Sequence, residues 1–425
     1  MSTEGNVLSR LLVALALAWT SLHAQAIPPS QTNQPVNAVI EWNRTLLTIV
    51  RTPGAQPATI HSTRSYAMLH AAILDAVNST DRSFTNLAQP SHIVRHASLS
   101  AAAHQAAHDV LVALYPAFQA TLDSELQQDL DQIPDSKSKT DGIAIGRIAA
   151  SQILAARSDD GSAIVPPPFV AGTQPGNYQI TPPNFPAPVL RQWPDVTPFV
   201  ITRADRFRPF PPSPLTSLQY TAAFNEVKSL GLIGSTTRTA EQTTIGRFWG
   251  GTIQNFWNEI AQTAALSHHL DLQQTARLFA VLNFALADTA IAFYDAKYFY
   301  SFWRPVTAVR SAEDDGNPDT AADPAWLPLP TNTAADPSYP GAHSAVSAAG
   351  AEILRDLLGD RFSFDVTSES LPGVTRHFTS FTAAAQEAGL SRIYAGQHFR
   401  FDHDAGKFLG QRVARSVIEG IHHRR

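Results

Sequence analysis

The feature that most constrains the fold is a spacing of apolar residues at three- and four-residue intervals along most of the 425-residue chain. Apolar residues at this spacing form one face of an α-helix, and such helices are stable when their apolar faces pack together. In the first half of the chain, the pattern predicts helices over residues 36–50, 60–77, 99–114, 117–130 and 142–156.

The second half has the same periodicity. It predicts helices over residues 217–230, 239–248, 252–266, 271–302, 343–358, 375–388 and 402–421, with a small hairpin over residues 362–374. Residues 158–214, between the halves, are rich in proline, and so long a connection typically joins two parts or covers a functional surface. The sequence therefore predicts an all-α fold of two stacked bundles, residues 27–157 and 215–425, with an ordered crossover that forms one wall of a pocket.

The N-terminus has the pattern of an export signal. Arg10 supplies a positive charge, residues 11–22 are apolar, and Ala24-Gln25-Ala26 is a small-residue cleavage site. We predict a signal peptide over residues 1–26 and a periplasmic or secreted protein; an uncleaved anchor or an ordinary helix is the alternative. Later apolar runs are shorter than a membrane span requires, so no stable membrane span is expected.

Composition excludes several classes of protein. With 44% hydrophobic and 16% charged residues, the chain has the composition of a globular protein, not a disordered one. The net charge of -5 argues against nucleic-acid binding, so any anion site must be a local cluster of cationic side chains. The chain has no cysteine, which excludes disulfides and thiolate metal sites.

The first of three basic motifs is Lys297 followed by Arg304-Pro305. Seven residues are nearly two helical turns, so on a continuous helix both cations would lie on one face, about 10 Å apart along the axis. Pro305 then ends or kinks the helix. Taken alone, such a pair is more typical of a solvated helix face than of a site.

The second motif is Pro340-Gly341-Ala342-His343, directly before an apolar helix. A helix N-terminus presents unpaired amides and a positive dipole end, and the glycine permits close approach of a ligand. His343 would exchange protons there near neutral pH. The alternative is that Gly341 simply makes a turn and His343 caps the helix.

The third motif joins Arg392 to His398 and Asp402. On a helical turn, Asp402 can accept from one imidazole nitrogen of His398 and leave the other free to attack or to bind a metal. Arg392 adds a planar cation suited to oxyanions. The neighbouring His403 and Asp404 leave a divalent-metal site open as an alternative.

Taken in order, the three motifs resemble the signature of the superfamily of vanadium-dependent haloperoxidases and class A acid phosphatases (PAP2). The resemblance covers residues 285–410. It is closer to the haloperoxidase branch in three segments: Phe302-Trp303-Arg304-Pro305 with Val309-Arg310, Asp323-Pro324-Ala325-Trp326-Leu327, and the run from Arg392-Ile393 to Arg400-Phe401-Asp402.

The resemblance implies a role for each motif residue. The oxygens of vanadate or phosphate would be held by Lys297, Arg304, Gly341, Ala342, His343, Arg392 and His398. His398 would bind vanadium directly, or become phosphorylated in a phosphatase. His343 would be the general acid and base, Asp402 would orient His398, and Lys297 would polarise the peroxide.

The resemblance favours the first of three functions and leaves the other two as alternatives. The first is a vanadate-dependent haloperoxidase, which oxidises halide with hydrogen peroxide. The second is an exported phosphatase that hydrolyses phosphomonoesters through a phosphohistidine at His398 and needs no vanadate. The third is a helical protein that binds the oxyanion without turnover. All three take small-molecule ligands, and a homodimer is compatible with each.

The sequence departs from the family pattern in two places. Gly341-Ala342 stands where the family usually has Ser-Gly, so a hydroxyl that would bond the oxyanion is missing and the Cβ of Ala342 crowds its amide. Asp336 stands where haloperoxidases have an aromatic residue or a histidine beside the halide site. A carboxylate there would repel halide unless it is paired or protonated.

Overall fold

The structure is a computed structural model that describes residues 36–57, 60–79 and 96–422. Its longest helix lies at the centre of the fold. Helix α9 spans Leu272–Tyr300 and begins with a capping box, in which Asp271 accepts from the amide of Gln274. Among the described residues, it is the one helix long and apolar enough to cross a membrane, but 94% of its apolar window is buried inside the protein. It is therefore the core helix of the fold. The predicted signal peptide, residues 1–26, lies outside the described residues and stays a prediction.

Helices on both sides of α9 pack against it. The early helices are α1 Ala38–Arg51, α2 Ser62–Asn78, α3 Leu99–Leu114, α4 Gln119–Asp131 and α5 Lys137–Ala156. The later ones are α6 Leu218–Gly231, α7 Ala240–Phe248, α8 Ile253–Ser267, α10 Pro305–Arg310, α11 Ala342–Leu358, α12 Phe381–Tyr394 and α13 Arg400–His422. Helix α2 contacts α9 from the early group, and α11 and α13 contact it from the later group. The prediction of a helical-bundle fold with at most a small hairpin is confirmed; the predicted limits of the two bundles, at residues 157 and 215, stay predictions.

The hairpin predicted over residues 362–374 is present but extends to residue 380. Strands β1, Arg361–Thr367, and β2, Thr375–Ser380, pair antiparallel, with Phe364 opposite Phe378. The predicted helix over residues 375–388 is therefore wrong in its first six residues. Side chains along β2 point alternately to the two faces of the hairpin, and Phe378 is on the buried face. The side chain of Ser380 accepts from the Ala383 amide and so caps the N-terminus of α12.

The proline-rich segment between the two groups of helices runs beside the end of α9. The Tyr178 amide donates to the carbonyl of Ser301 at 2.7 Å, and the Trp303 amide donates to Gly176 at 2.9 Å. Further along, Asp288 of α9 accepts three backbone N–H groups, from Phe199 at 2.6 Å and from Val200 and Ile201 at 2.9 Å each. These bonds hold the crossover against the helix that carries Lys297.

We expect Asp288→Asn to lower the free energy of unfolding by about 2 kcal/mol. The carboxylate is fully buried, and an amide would turn its NH₂ group toward at least one of the three N–H donors and leave that donor unsatisfied. Urea unfolding measures the change. Asp271→Asn on the same helix is the control, since asparagine caps a helix as well as aspartate does. Equal stability of both variants would contradict this role for Asp288.

Candidate active site

Lys297, on the last turn of α9, is fully buried, and three oxygen atoms surround its ammonium group. Nζ donates to the carbonyls of Pro337 and Ser338, the latter at 3.1 Å, and lies 3.6 Å from Oδ1 of Asp336. Burial lowers the pKa of Lys297, and the Asp336 carboxylate opposes that shift. The loop before α11 therefore holds the lysine in one position.

Arg304 reaches the site by a turn and not along a helix face. The predicted helix over residues 271–302 ends at Tyr300 because Ser301 adopts a left-handed conformation with φ 45°. Arg304 is the N-cap of α10, so the prediction that Lys297 and Arg304 share one helix face is wrong. The turn nevertheless brings both side chains to the same carboxylate, that of Asp336.

The guanidinium of Arg304 is buried and donates in three directions. Nε donates to the carbonyl of Asp336 at 2.8 Å, and Nη2 donates to the carboxylate of the same residue. Nη1 donates to the carbonyl of Gln397 at 3.0 Å and lies 3.3 Å from Nε2 of His398. Arg304 thus connects the loop of Asp336 to the loop of His398.

His398 lies just before α13, and Asp402 lies in the first turn of that helix. Nδ1 of His398 is 3.1 Å from Oδ2 of Asp402, which also accepts from the Ser338 hydroxyl at 2.5 Å and the Phe399 amide at 3.0 Å. Because Arg304 approaches Nε2 as a donor, we assign the proton to Nδ1 and a lone pair to Nε2. The pair predicted from the i, i+4 spacing is present, and Nε2 is the ring nitrogen that the carboxylate leaves free.

Burial and nearby charges hold His398 neutral. Desolvation lowers the pKa of His398 well below its usual value, and the positive charges of Arg304 and Lys297 lower it further. Burial also raises the pKa of Asp402, although the Ser338 hydroxyl and the Phe399 amide oppose that shift. Neutral imidazole is the form that can bind a metal or attack phosphorus.

The N-terminus of α11 faces the same region. Gly341 is its N-cap, no side chain caps the helix, and the Gly341 amide donates to the carbonyl of Asp402 at 2.8 Å. A Cβ on Gly341 would lie 3.1 Å from that carbonyl oxygen, so a serine here would press on α13. This close approach gives a physical reason for Gly341, and it leaves first-turn amides, that of Ala342 included, as anion donors.

His343, in the first turn of α11, is partly exposed, and its Nε2 lies 3.0 Å from the carbonyl of Trp249. Desolvation and the positive charges of Arg392 and Arg304 lower the pKa of His343 well below its usual value. A neutral imidazole that donates from Nε2 has its lone pair on Nδ1. His343 can therefore accept a proton at Nδ1.

Arg392, on the last turn of α12, is the pocket cation with the fewest partners. Nη1 donates weakly to the carbonyl of Trp249, at 3.4 Å, and no carboxylate of the described residues forms an ion pair with Arg392. Burial, and then the charge of Arg304, lower the pKa of Arg392 to about 10. A partly enclosed cation without a counter-charge is suited to bind an anion.

Several residues at the site were not predicted to take part. Ser338 bonds Asp402, and the Trp249 carbonyl lies against both His343 and Arg392. His61, from the early group of helices, contacts Tyr294 with ring centroids 5.9 Å apart and lies close enough to feel the charge of Asp336. No spacing in the sequence signals these contacts, since each joins distant segments or uses a main-chain atom.

The donor set fits a tetrahedral oxyanion. Three cationic side chains, Lys297, Arg304 and Arg392, adjoin an uncapped helix N-terminus and the Nε2 lone pair of His398. The uncompensated charge of Arg392 gives the pocket a positive side. Vanadate or phosphate matches these donors in charge and in hydrogen-bonding capacity.

Comparisons of sequence and fold show which known proteins this chain resembles. The family model of the VCPO second helical-bundle domain matches residues 277–424. Vanadium chloroperoxidase of Curvularia inaequalis is 27% identical over 275 residues, which are 48% of this chain and 44% of that protein. The chain thus spans less than half the length of that relative.

Solved structures extend the likeness to nearly the whole chain. A bacterial vanadium-dependent iodoperoxidase matches with a TM-score of 0.76 and 25% identity, over 92% of this chain and 98% of that one. The holo form of a bacterial vanadium-dependent chloroperoxidase matches with a TM-score of 0.69 and 15% identity, over 93% and 99%, and shares the fold. The resemblance of the chain to the superfamily of vanadium-dependent haloperoxidases and class A acid phosphatases, closer to its haloperoxidase branch, is therefore confirmed.

Proposed function

We propose that this protein is a vanadium-dependent haloperoxidase that oxidises halide with hydrogen peroxide. The observation that carries the proposal is the Nε2 lone pair of His398, which lies between cationic side chains while Asp402 holds the proton on Nδ1. Likeness to an iodoperoxidase and to chloroperoxidases supports the haloperoxidase reaction over phosphate-ester hydrolysis. Bound vanadate supplies the Lewis-acid centre at which peroxide is activated and halide is oxidised to hypohalous acid.

Each residue of the pocket has a distinct task in this proposal. His398 binds vanadium through Nε2, and Asp402 with Ser338 fixes the ring and its tautomer. Arg392 and the first amides of α11 neutralise oxygen atoms of the anion, and Arg304 and Lys297 are further donors to it. His343 holds or releases a proton at Nδ1. Positive groups fixed in place before the reaction are typically the largest source of rate.

Iodide is the substrate we expect to react fastest, followed by bromide and then chloride. Iodide loses electrons most easily of the three. It also binds water least tightly, so the nearby carboxylate of Asp336 hinders its entry least. Halogenation rates for each halide at equal concentration measure this order, and chloride oxidation faster than iodide oxidation would contradict it.

The decisive assay uses purified protein freed of metal oxyanions, in a buffer without phosphate. We expect iodide oxidation that requires both hydrogen peroxide and added vanadate. Hydrolysis of a simple phosphomonoester that vanadate inhibits would replace the proposal with the phosphatase alternative. Vanadate binding with neither activity would indicate a non-catalytic binding protein.

A further inference from the structure

Asp336 occupies the position where two of the oxyanion donors converge. It is 6% exposed, and Oδ1 bonds Nη2 of Arg304 and lies 3.6 Å from Nζ of Lys297. Among the described residues, it is the one carboxylate that forms ion pairs with both of these cations. One negative charge is therefore built into the cationic side of the pocket.

The main chain around Asp336 is anchored to the same groups. The carbonyl of Asp336 accepts from Arg304, and the carbonyls of Pro337 and Ser338 accept from Lys297. The Ser338 amide donates to the carbonyl of Phe302 at 2.9 Å. Because these bonds fix the backbone, the carboxylate can leave the two cations by rotation of one side chain.

The pairing also affects His398. Arg304 is held by Asp336 on one side and places Nη1 3.3 Å from Nε2 of His398 on the other. Arg392 forms no ion pair with a carboxylate in the described part of the chain. The positive charges of Lys297 and Arg304 are thus partly neutralised by Asp336, whereas the charge of Arg392 is not.

We propose that Asp336 is a specificity-determining residue that competes with the oxyanion for Lys297 and Arg304. Binding of vanadate requires the carboxylate to give up these donors or to remain beside another negative charge. Either way the affinity falls, and it falls most for the most highly charged oxyanions. This inference rests on the proposed function in taking vanadate as the ligand.

The test compares vanadate binding in wild type, Asp336→Asn and Asp336→Ala, by calorimetry in phosphate-free buffer. We expect the neutral variants to bind roughly ten- to a hundredfold more tightly, since a like charge within a few ångströms is removed. Asp336→Glu keeps the charge and should keep the wild-type affinity. Asp315→Asn is the matched control, because Asp315 is equally buried and its carboxylate accepts from the Asn317 amide and the Thr320 hydroxyl instead of from a cation of the pocket.

Thermal unfolding with and without vanadate gives a second readout. Neutral variants leave two buried cations unpaired, so we expect lower stability without vanadate and a larger gain on its addition than in wild type. Equal or weaker vanadate binding by folded Asp336→Asn and Asp336→Ala would overturn the role of Asp336 and leave the proposed function standing. Binding by the neutral variants alone would support this role and contradict the proposed function. Absence of binding in every variant would contradict both.

Discussion

Replacement of His398 by alanine is expected to abolish vanadate-dependent iodide oxidation, with a loss of at least about 10³-fold in kcat/KM. The variant lacks the Nε2 lone pair, which in the proposed function binds vanadium directly. Asp402 and Ser338 would remain in place, but the imidazole that they orient would be missing. Steady-state rates at saturating vanadate measure the loss, and calorimetry shows whether vanadate still binds through the cations.

The control for this variant is His377→Ala. His377 lies on the exposed face of β2, paired with Asp365, and contacts no residue of the pocket. We expect the control to keep wild-type rates. Full activity in folded His398→Ala would show that the reaction, if present, occurs elsewhere in the protein.

Replacement of Arg392 by alanine should weaken vanadate binding by about 10²- to 10³-fold. In this structure Arg392 is the pocket cation whose charge no carboxylate of the described residues neutralises, so its loss removes more attraction than the loss of a compensated cation. Arg392→Lys should restore only part of the affinity, because an ammonium cannot offer two parallel donors. Titration of each variant with vanadate gives the dissociation constants.

Arg400→Ala is the matched control for Arg392. It also removes an arginine from the third motif, but Arg400 is paired with Glu226 and lies outside the pocket. We expect its vanadate affinity to stay within about twofold of wild type. An equal loss in both variants would mean that the general positive charge of this segment, and not the position of Arg392, governs binding.

Local patterns in the sequence were enough to predict most of the helices and the motif at His398. The apolar periodicity placed α3 within its observed bounds, Leu99–Leu114. The four-residue spacing correctly joined His398 to Asp402, since both lie on one short stretch of backbone. Helix periodicity and the His398–Asp402 pair depend on residues that are close together in the chain, and the sequence shows those residues directly.

The errors arose where distant segments decide the structure. The sequence around Ser301 continues a helical pattern, but the bonds of residues 301–303 with the proline-rich crossover favour a turn there. Residues 375–380 form a strand because β1 offers a pairing partner and a buried position for Phe378. Both outcomes depend on tertiary contacts, which outweigh the small differences in local propensity.

The pairing of Asp336 shows the same limit at the site. The sequence identified a carboxylate at an unusual position and left open whether it is paired. The partners, Lys297 and Arg304, lie more than thirty residues earlier, and the helix that carries Lys297 breaks at Ser301, earlier than the sequence predicted, which brings them together. The charge of the pocket therefore had to be read from the structure.

The most direct test of the central claim is a crystal structure of the protein with orthovanadate, in which anomalous scattering locates vanadium. We expect one strong site within bonding distance of Nε2 of His398, with oxygen atoms toward Arg392 and the N-terminus of α11. Vanadium found elsewhere, for example among Glu41, His104 and Asp129, with the His398 pocket free of it, would contradict the account.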